Sequence, residues 1–322
     1  MQLNLPILDL VANSRNILIA GAGGGYDVYV GLPLYFTLRA LGKNVHLANY
    51  SFCDVDLASR VSQVEVIMPG LLANTIGGVT MQIDYLVEPY LAQWFQEVRG
   101  ETIPIWMLAD TGALPLTEAY QKLVEHLQID AIILVDGGVD SLMRGNEEGA
   151  GSLLEDTISL IAVGNLDVPV KLLASIGFGA ETEEGVCHYN ALENMAALVK
   201  DGAFRGSCAL TPDMEAFQLY ADACQYVWEQ PSQHPSHIST RIIPAVQGEF
   251  GNFHLIPFYR HTPLFISPLM SLYWFFDAAA VLRRNLIADL IRKTTTKEQA
   301  FIMILKSDER PKIERPRRVI PY

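Results

Sequence analysis

Apolar residues in this chain come in short, unbroken runs that end in glycine and aspartate. The first, Ile17-Leu18-Ile19-Ala20, opens into Gly21-Ala22-Gly23-Gly24-Gly25. Helical spacing over 26–41 then predicts a helix closed by Gly42 as its C-cap. A second strand is predicted at 45–49, giving a strand, glycine loop, helix and strand in succession. Strands are predicted again at 64–68, 104–108, 131–135 and 170–175, and helices at 85–98, 116–127 and 153–163. Apolar strands separated by helices indicate a parallel sheet covered on both faces, and right-handed crossovers make that an α/β, doubly wound, Rossmann-like fold.

Past Gly185 the spacing turns helical, at 188–200 and 212–228, with loops over 231–268 around a strand near Ile242. The stretch 264–282 is almost wholly apolar, but Pro268 and Asp277 interrupt it. A spanning helix needs ~20 largely uncharged residues, so a buried helix or a homodimer interface is expected there instead. One domain over 1–293, helical from about 186, and a C-terminal tail over 294–322 complete the expected organisation.

Half of the 322 residues are hydrophobic, enough to form a core and exclude a disordered chain. The net charge is −13, and residues 1–150 carry −10 of it. Such a surface repels phosphate backbones and anionic lipid, which argues against nucleic acid and membranes as partners. Cys53, Cys187, Cys208 and Cys224 are scattered without a C-x-x-C pair, and no signal peptide is evident at Met1. A cytoplasmic protein with reduced thiols is the expectation.

Chemistry gathers after the predicted strands. In open parallel sheets ligands sit beyond the carboxyl ends of the strands, where strand order reverses. Gly21, Gly23, Gly24 and Gly25, with Tyr26 and Asp27 at a helix start, are expected to hold a phosphate or nucleotide on backbone N–H groups. The dinucleotide fingerprint is incomplete, since Tyr26 stands at its third glycine and Asn49-Tyr50-Ser51 replaces the acid after the second strand. Asp110 follows another strand and, with Gly137, Gly138, Gly177 and Gly179, is expected to line the same phosphate- or nucleotide-binding rim. In the run Asp136-Gly137-Gly138-Val139-Asp140, the two carboxylates suit Mg²⁺ or another divalent cation, the alternative being an Asx turn that caps backbone amides. Arg144 is placed to hold a phosphate or carboxylate. A third loop, with Gly177 and Gly179, leads to His188, a candidate general acid or base. Glu181, Glu183 and Glu184 read either as part of that rim or as a solvated turn. His234, His237, His254 and His261 offer metal donors without a recognisable ligand spacing.

The runs from Gly21 to Asp27 and from Asp136 to Glu147 resemble the family known as domain of unknown function 1152, over most of the chain to about Arg292. Val139 and Asn146 stand where that family is expected to carry Thr and Asp. The resemblance implies a shared fold and site but supplies no substrate. On the residues, the expected function is an enzyme acting on a nucleotide, nucleoside or phosphorylated sugar by metal-assisted hydrolysis or group transfer. Asp136, Asp140 and His188 are its catalytic candidates. The alternatives are an NAD(P)-dependent oxidoreductase and a non-catalytic nucleotide-binding or assembly protein.

Overall fold

After a short helix α1 (Pro6–Leu10), the first apolar run becomes strand β1 (Asn16–Gly21). Ile17 and Ile19 enter one layer of the core, and Leu18 and Ala20 enter the other. This is the pattern of a strand covered on both faces. The computed structural model describes residues 6–148, 153–181, 183, 185–257, 264–306 and 315–320.

The chain continues through α2 (Asp27–Val30), α3 (Leu32–Ala40), β2 (Asn44–Ser51), α4 (Val55–Val61), β3 (Val64–Met68) and β4 (Leu72–Thr75). Next come α5 (Val87–Arg99), β5 (Ile105–Ala109), α6 (Ala113–Leu127), β6 (Ala131–Gly137), α7 (Leu153–Gly164) and β7 (Val170–Ile176). The last part holds α8 (His188–Lys200), β8 (Phe204–Ala209), α9 (Glu215–Trp228), α10 (Ser239–Val246), β9 (Leu272–Asp277), α11 (Ala278–Arg284), α12 (Ala288–Ile291) and α13 (Lys297–Lys306).

The strands form one mixed sheet in the order β3-β4-β5-β2-β1-β6-β7-β9-β8. The five central strands, β5 to β7, are parallel. An antiparallel pair is added at each edge. Helices α2, α3, α5, α9 and α10 bury their apolar sides against one face, and α6, α7, α8, α11 and α12 against the other. The protein is thus an α/β fold on a large, mostly parallel sheet. Among the described residues no helix is long and apolar enough to cross a membrane.

Five local expectations are corrected. The helix expected over 26–41 breaks at Gly31, where a Cβ would come 2.7 Å from Ile19 Cγ2, so helix and strand meet too closely for any side chain. The stretch 264–282 is not one helix: a 3₁₀ turn (Pro268–Ser271) leads into β9 and then α11. Tyr273 and Phe275 enter one core layer and Phe276 the other, so these side chains belong to the chain's own core. The portion expected to be helical from about 186 contains β8 and β9, and the strand expected near Ile242 is helix α10. Within the expected tail, α13 buries Ala300 against the second core layer.

Candidate functional site

The parallel strands end level with one another. Gly21 at the end of β1 lies beside Asn49 of β2 and Val135 of β6. Asp136 and Gly137 lie beside Ser175 and Ile176 of β7. From β1 the chain moves outward to β2 and β5 and then returns across β1 to β6, so the order reverses between β1 and β6. The loops after β1, β6 and β7 therefore meet on one rim, where open sheets leave a crevice.

Asp27 joins two of those loops. Its Oδ2 accepts the N–H of Gly23 at 2.7 Å and its Oδ1 accepts the N–H of Gly137 at 3.0 Å. Gly24 and Gly25 have positive φ, which lets the loop fold around this carboxylate. Part of the seat expected for a phosphate on the glycine loop is thus filled by the protein's own anion. Tyr26 turns away and donates its hydroxyl to the carbonyl of His234 at 2.7 Å.

Around Asp27 stand four more carboxylates. Asp136, the penultimate residue of β6, accepts hydrogen bonds from the hydroxyls of Ser141 and Ser175. Asp140 opens a short 3₁₀ turn (Asp140–Leu142) and is completely buried. Glu181 reaches over from the third loop, its Oε2 accepting the N–H of Val139 at 2.7 Å and of Asp140 at 3.2 Å. A Cβ on Gly138 would fall 2.2 Å from that carboxylate, so the double glycine admits Glu181. Asp156, in the first turn of α7, is completely buried, and among the described residues neither carboxylate oxygen has a hydrogen-bond partner. Oxygens of Asp27, Asp136 and Asp156 lie within 4.8 Å of one another.

Burial pushes the Asp27 carboxyl up to about 7, partly offset by its amide donors. Burial, reinforced by the Asp140 charge, holds Asp136, Asp156 and Glu181 well above the usual carboxylate range. Desolvation and like charges act in the same direction here. Such a group of oxygens either keeps protons or holds a hard cation.

Other expected site residues go elsewhere. Asp110 accepts from the Tyr50 hydroxyl at 2.6 Å and pairs with Lys297. Arg144 Nε donates to the carbonyl of Arg284 at 3.2 Å. His188 stacks on Phe178 with ring centroids 5.0 Å apart and lines a surface cleft with Cys187, Arg317 and Arg318. Gly177 and Gly179, both at positive φ, shape the third loop, and a Cβ on Gly179 would meet His188 Nε2 at 2.6 Å. Asn49 is turned inward, donating to the Gly25 carbonyl at 2.8 Å and to Glu88 Oε1 at 2.7 Å. Among the described residues, the potential ligand cluster is Asp27, Asp136 and Asp156, and it takes in none of the expected histidines. His261 and Glu184 lie outside the described residues.

Sequence reasoning missed Asp156, which reads as an ordinary acid in a helix's first turn. It also left Glu181 open to a solvated role, whereas the side chain is buried. Arg241 was missed altogether. It is buried and donates to the Ala180 carbonyl and, at 2.8 Å, to Glu183, closing the third loop from α10. Of the expected residues, Asp27 and Asp136 fall within the ligand cluster, and Asp140, expected as a metal ligand, is not one of its three.

The family model described as "Protein of unknown function (DUF1152)" matches residues 62–306, well over half of the chain. The chain belongs to this family. The matched span includes Asp136, Asp140, Asp156 and Glu181, while the glycine loop and Asp27 precede it. No curated protein and no solved structure matches the chain.

Proposed function

We propose that this DUF1152 protein is an enzyme acting on a nucleotide, nucleoside or phosphorylated sugar, with a divalent cation such as Mg²⁺ held by Asp27, Asp136 and Asp156. Asp140 and Glu181 stand beside that ion. The observation that carries the reading is Asp156, a wholly buried carboxylate with no hydrogen-bond donor on either oxygen among the described residues. A buried charge without a partner is costly, and oxygens of two more carboxylates, Asp27 and Asp136, lie within 4.8 Å of it. A hard cation supplies the missing partner, and an all-oxygen ligand set is the kind it takes.

The cation also reconciles an acidic rim with a phosphorylated substrate. With Asp27 on the Gly23 and Gly137 amides, phosphate is drawn in by the ion rather than by the glycine loop. Mg²⁺ commonly completes its shell with substrate phosphate and water, and it can polarise the bond to be cleaved. The parallel order β5-β2-β1-β6-β7, reversing at β1 and β6, supports a Rossmann-like reading of the sheet and a ligand at this rim. Hydrolysis or group transfer fits better than hydride transfer, because Asn49 is committed to the protein interior and offers no ribose contact.

Thermal denaturation at pH 8 with Mg²⁺, Mn²⁺ or Ca²⁺, alone and with a panel of nucleotides and sugar phosphates, tests the proposal. At least one cation raises the midpoint, a phosphorylated ligand adds to it only when that cation is present, and both gains vanish in Asp156→Asn. A wild type indifferent to all three cations, or an equal gain in Asp156→Asn, overturns it.

A further inference from the structure

Beyond α13, the segment Arg315-Pro316-Arg317-Arg318-Val319-Ile320 reads in sequence as a basic tail. In the fold it crosses from the loop after β6 to the first turns of α8. Arg315 Nη1 meets Glu147 Oε1 at 2.8 Å and Asn194 Oδ1 at 2.7 Å, and its other terminal nitrogen pairs with Glu193. The Arg315 carbonyl accepts the N–H of Glu148 at 3.3 Å. Three residues on, Arg318 exchanges hydrogen bonds with the Cys187 thiol at 3.3 Å, and its guanidinium lies over the Tyr189 ring.

Glu147 is the centre of these contacts. Its side chain is 1% exposed, and its carboxylate also accepts the N–H groups of Arg144, Gly145 and Asn146 and the side chain of Asn194. Those donors and the Arg315 charge hold its carboxyl below the usual range, against the effect of burial. The loop that carries Asp140 is therefore pinned at two points. Glu181 holds its start through Val139 and Asp140, and the Glu147–Arg315 pair holds residues 144–147.

We infer that Arg315 is a positioning residue: through Glu147 it fixes residues 139–148 after β6, and so fixes Asp140 and, through the Ser141 hydroxyl, Asp136 in the candidate site. A guanidinium suits the task because its planar fork reaches Glu147, Asn194 and Glu193 together, which a lysine ammonium does not. The effect on cation binding rests on the reading given under Proposed function, whereas the pinning of the loop does not.

Two measurements on Arg315→Ala separate them. Hydrogen exchange without added metal reads the loop, and Mn²⁺ titration calorimetry reads the site. Arg315→Ala speeds exchange at Val139 to Glu148 while leaving β1 and β2 protected, and weakens Mn²⁺ binding about 10- to 100-fold, as lost support behind metal ligands commonly does. Arg315→Lys lies between the two and serves if the alanine variant does not fold. Arg39→Ala, which breaks a 2.7 Å ion pair with Glu101 elsewhere, moves neither quantity. Unchanged exchange over 139–148 in Arg315→Ala overturns the positioning role, as does faster exchange with Mn²⁺ affinity intact. A wild type that binds no Mn²⁺ removes the cation reading, and exchange alone then decides the strap.

Discussion

Asp27 and Gly137 are 110 positions apart, yet the carboxylate of one accepts the amide of the other at 3.0 Å. The same carboxylate holds Gly23 at 2.7 Å, so one side chain ties the loop after β1 to the end of β6. Replacing it with alanine leaves two buried N–H groups unpaired, at about 1–3 kcal/mol each. Asp27→Ala is therefore expected to lose about 2–6 kcal/mol in urea titration at pH 5.5 with chelator present. The Asp27 carboxyl titrates near 7 when folded, against an ordinary value of 3.8. Its proton-linked contribution is complete below about pH 4 and is lost as pH rises through 7, so the cost of the substitution shrinks by pH 8.5. An equal cost at both pH values contradicts this account.

Asp156 tests the same linkage without disturbing an amide. Its folded carboxyl is raised by burial first and by the Asp140 charge second. Without cations, the wild type therefore loses stability as pH climbs from 5 to 8.5, because ionisation is easier in the unfolded chain. Asp156→Asn removes that penalty and gives a neutral side chain able to donate to its neighbours. It is expected to match the wild type near pH 5 and to exceed its denaturation midpoint at pH 8.5. Parallel pH profiles for the two proteins count against a strained carboxylate at this position.

Legibility in the sequence follows the physics of each element. The parallel strands β1, β2, β5, β6 and β7 announce themselves, since burial on both faces demands unbroken apolar runs. The positional rule that ligands gather at their carboxyl ends located the Asp136 loop. The antiparallel additions are harder to see. Leu72-Ala73-Asn74-Thr75 is too short for a pattern, and Tyr273-Trp274-Phe275-Phe276 is apolar on every position, so no period separates strand from helix. Asp156 and Glu181 were hidden for a different reason. An acid in a helix's first turn or in a loop is ordinarily solvated, and only the long-range packing of α7 and the third loop turns these two inward.

The β9 assignment gives a third prediction. Phe276 is wholly buried between β7 and β8 partners, opposite Leu173 and Phe204. Phe276→Ala is expected to cost about 3–5 kcal/mol, the range for truncating a core aromatic. Sedimentation velocity on the folded fraction is expected to give the wild-type coefficient, because the ring packs inside its own chain. A change in oligomeric state with little loss of stability is the result that reverses this.

Arg241 provides the last. It is 4% exposed, comes from α10, and closes the third loop through the Ala180 carbonyl and the Glu183 carboxylate. The next residue after Ala180 is Glu181, whose carboxylate orders Val139 and Asp140. Arg241→Met keeps much of the side-chain volume but removes the donors, leaving a buried carbonyl and a partly exposed carboxylate without their cation. Losing one partner of a buried pair costs about 3–5 kcal/mol, and the 26% exposure of the Glu183 side chain lowers the expectation to about 2–3 kcal/mol. Glu183→Gln keeps the Ala180 contact and is expected to cost less than half as much. Urea titration of both variants at pH 7 separates the two contacts. If Glu183→Gln equals Arg241→Met, the ion pair rather than the carbonyl holds the loop, and the link from α10 through Ala180 to the acidic cluster fails.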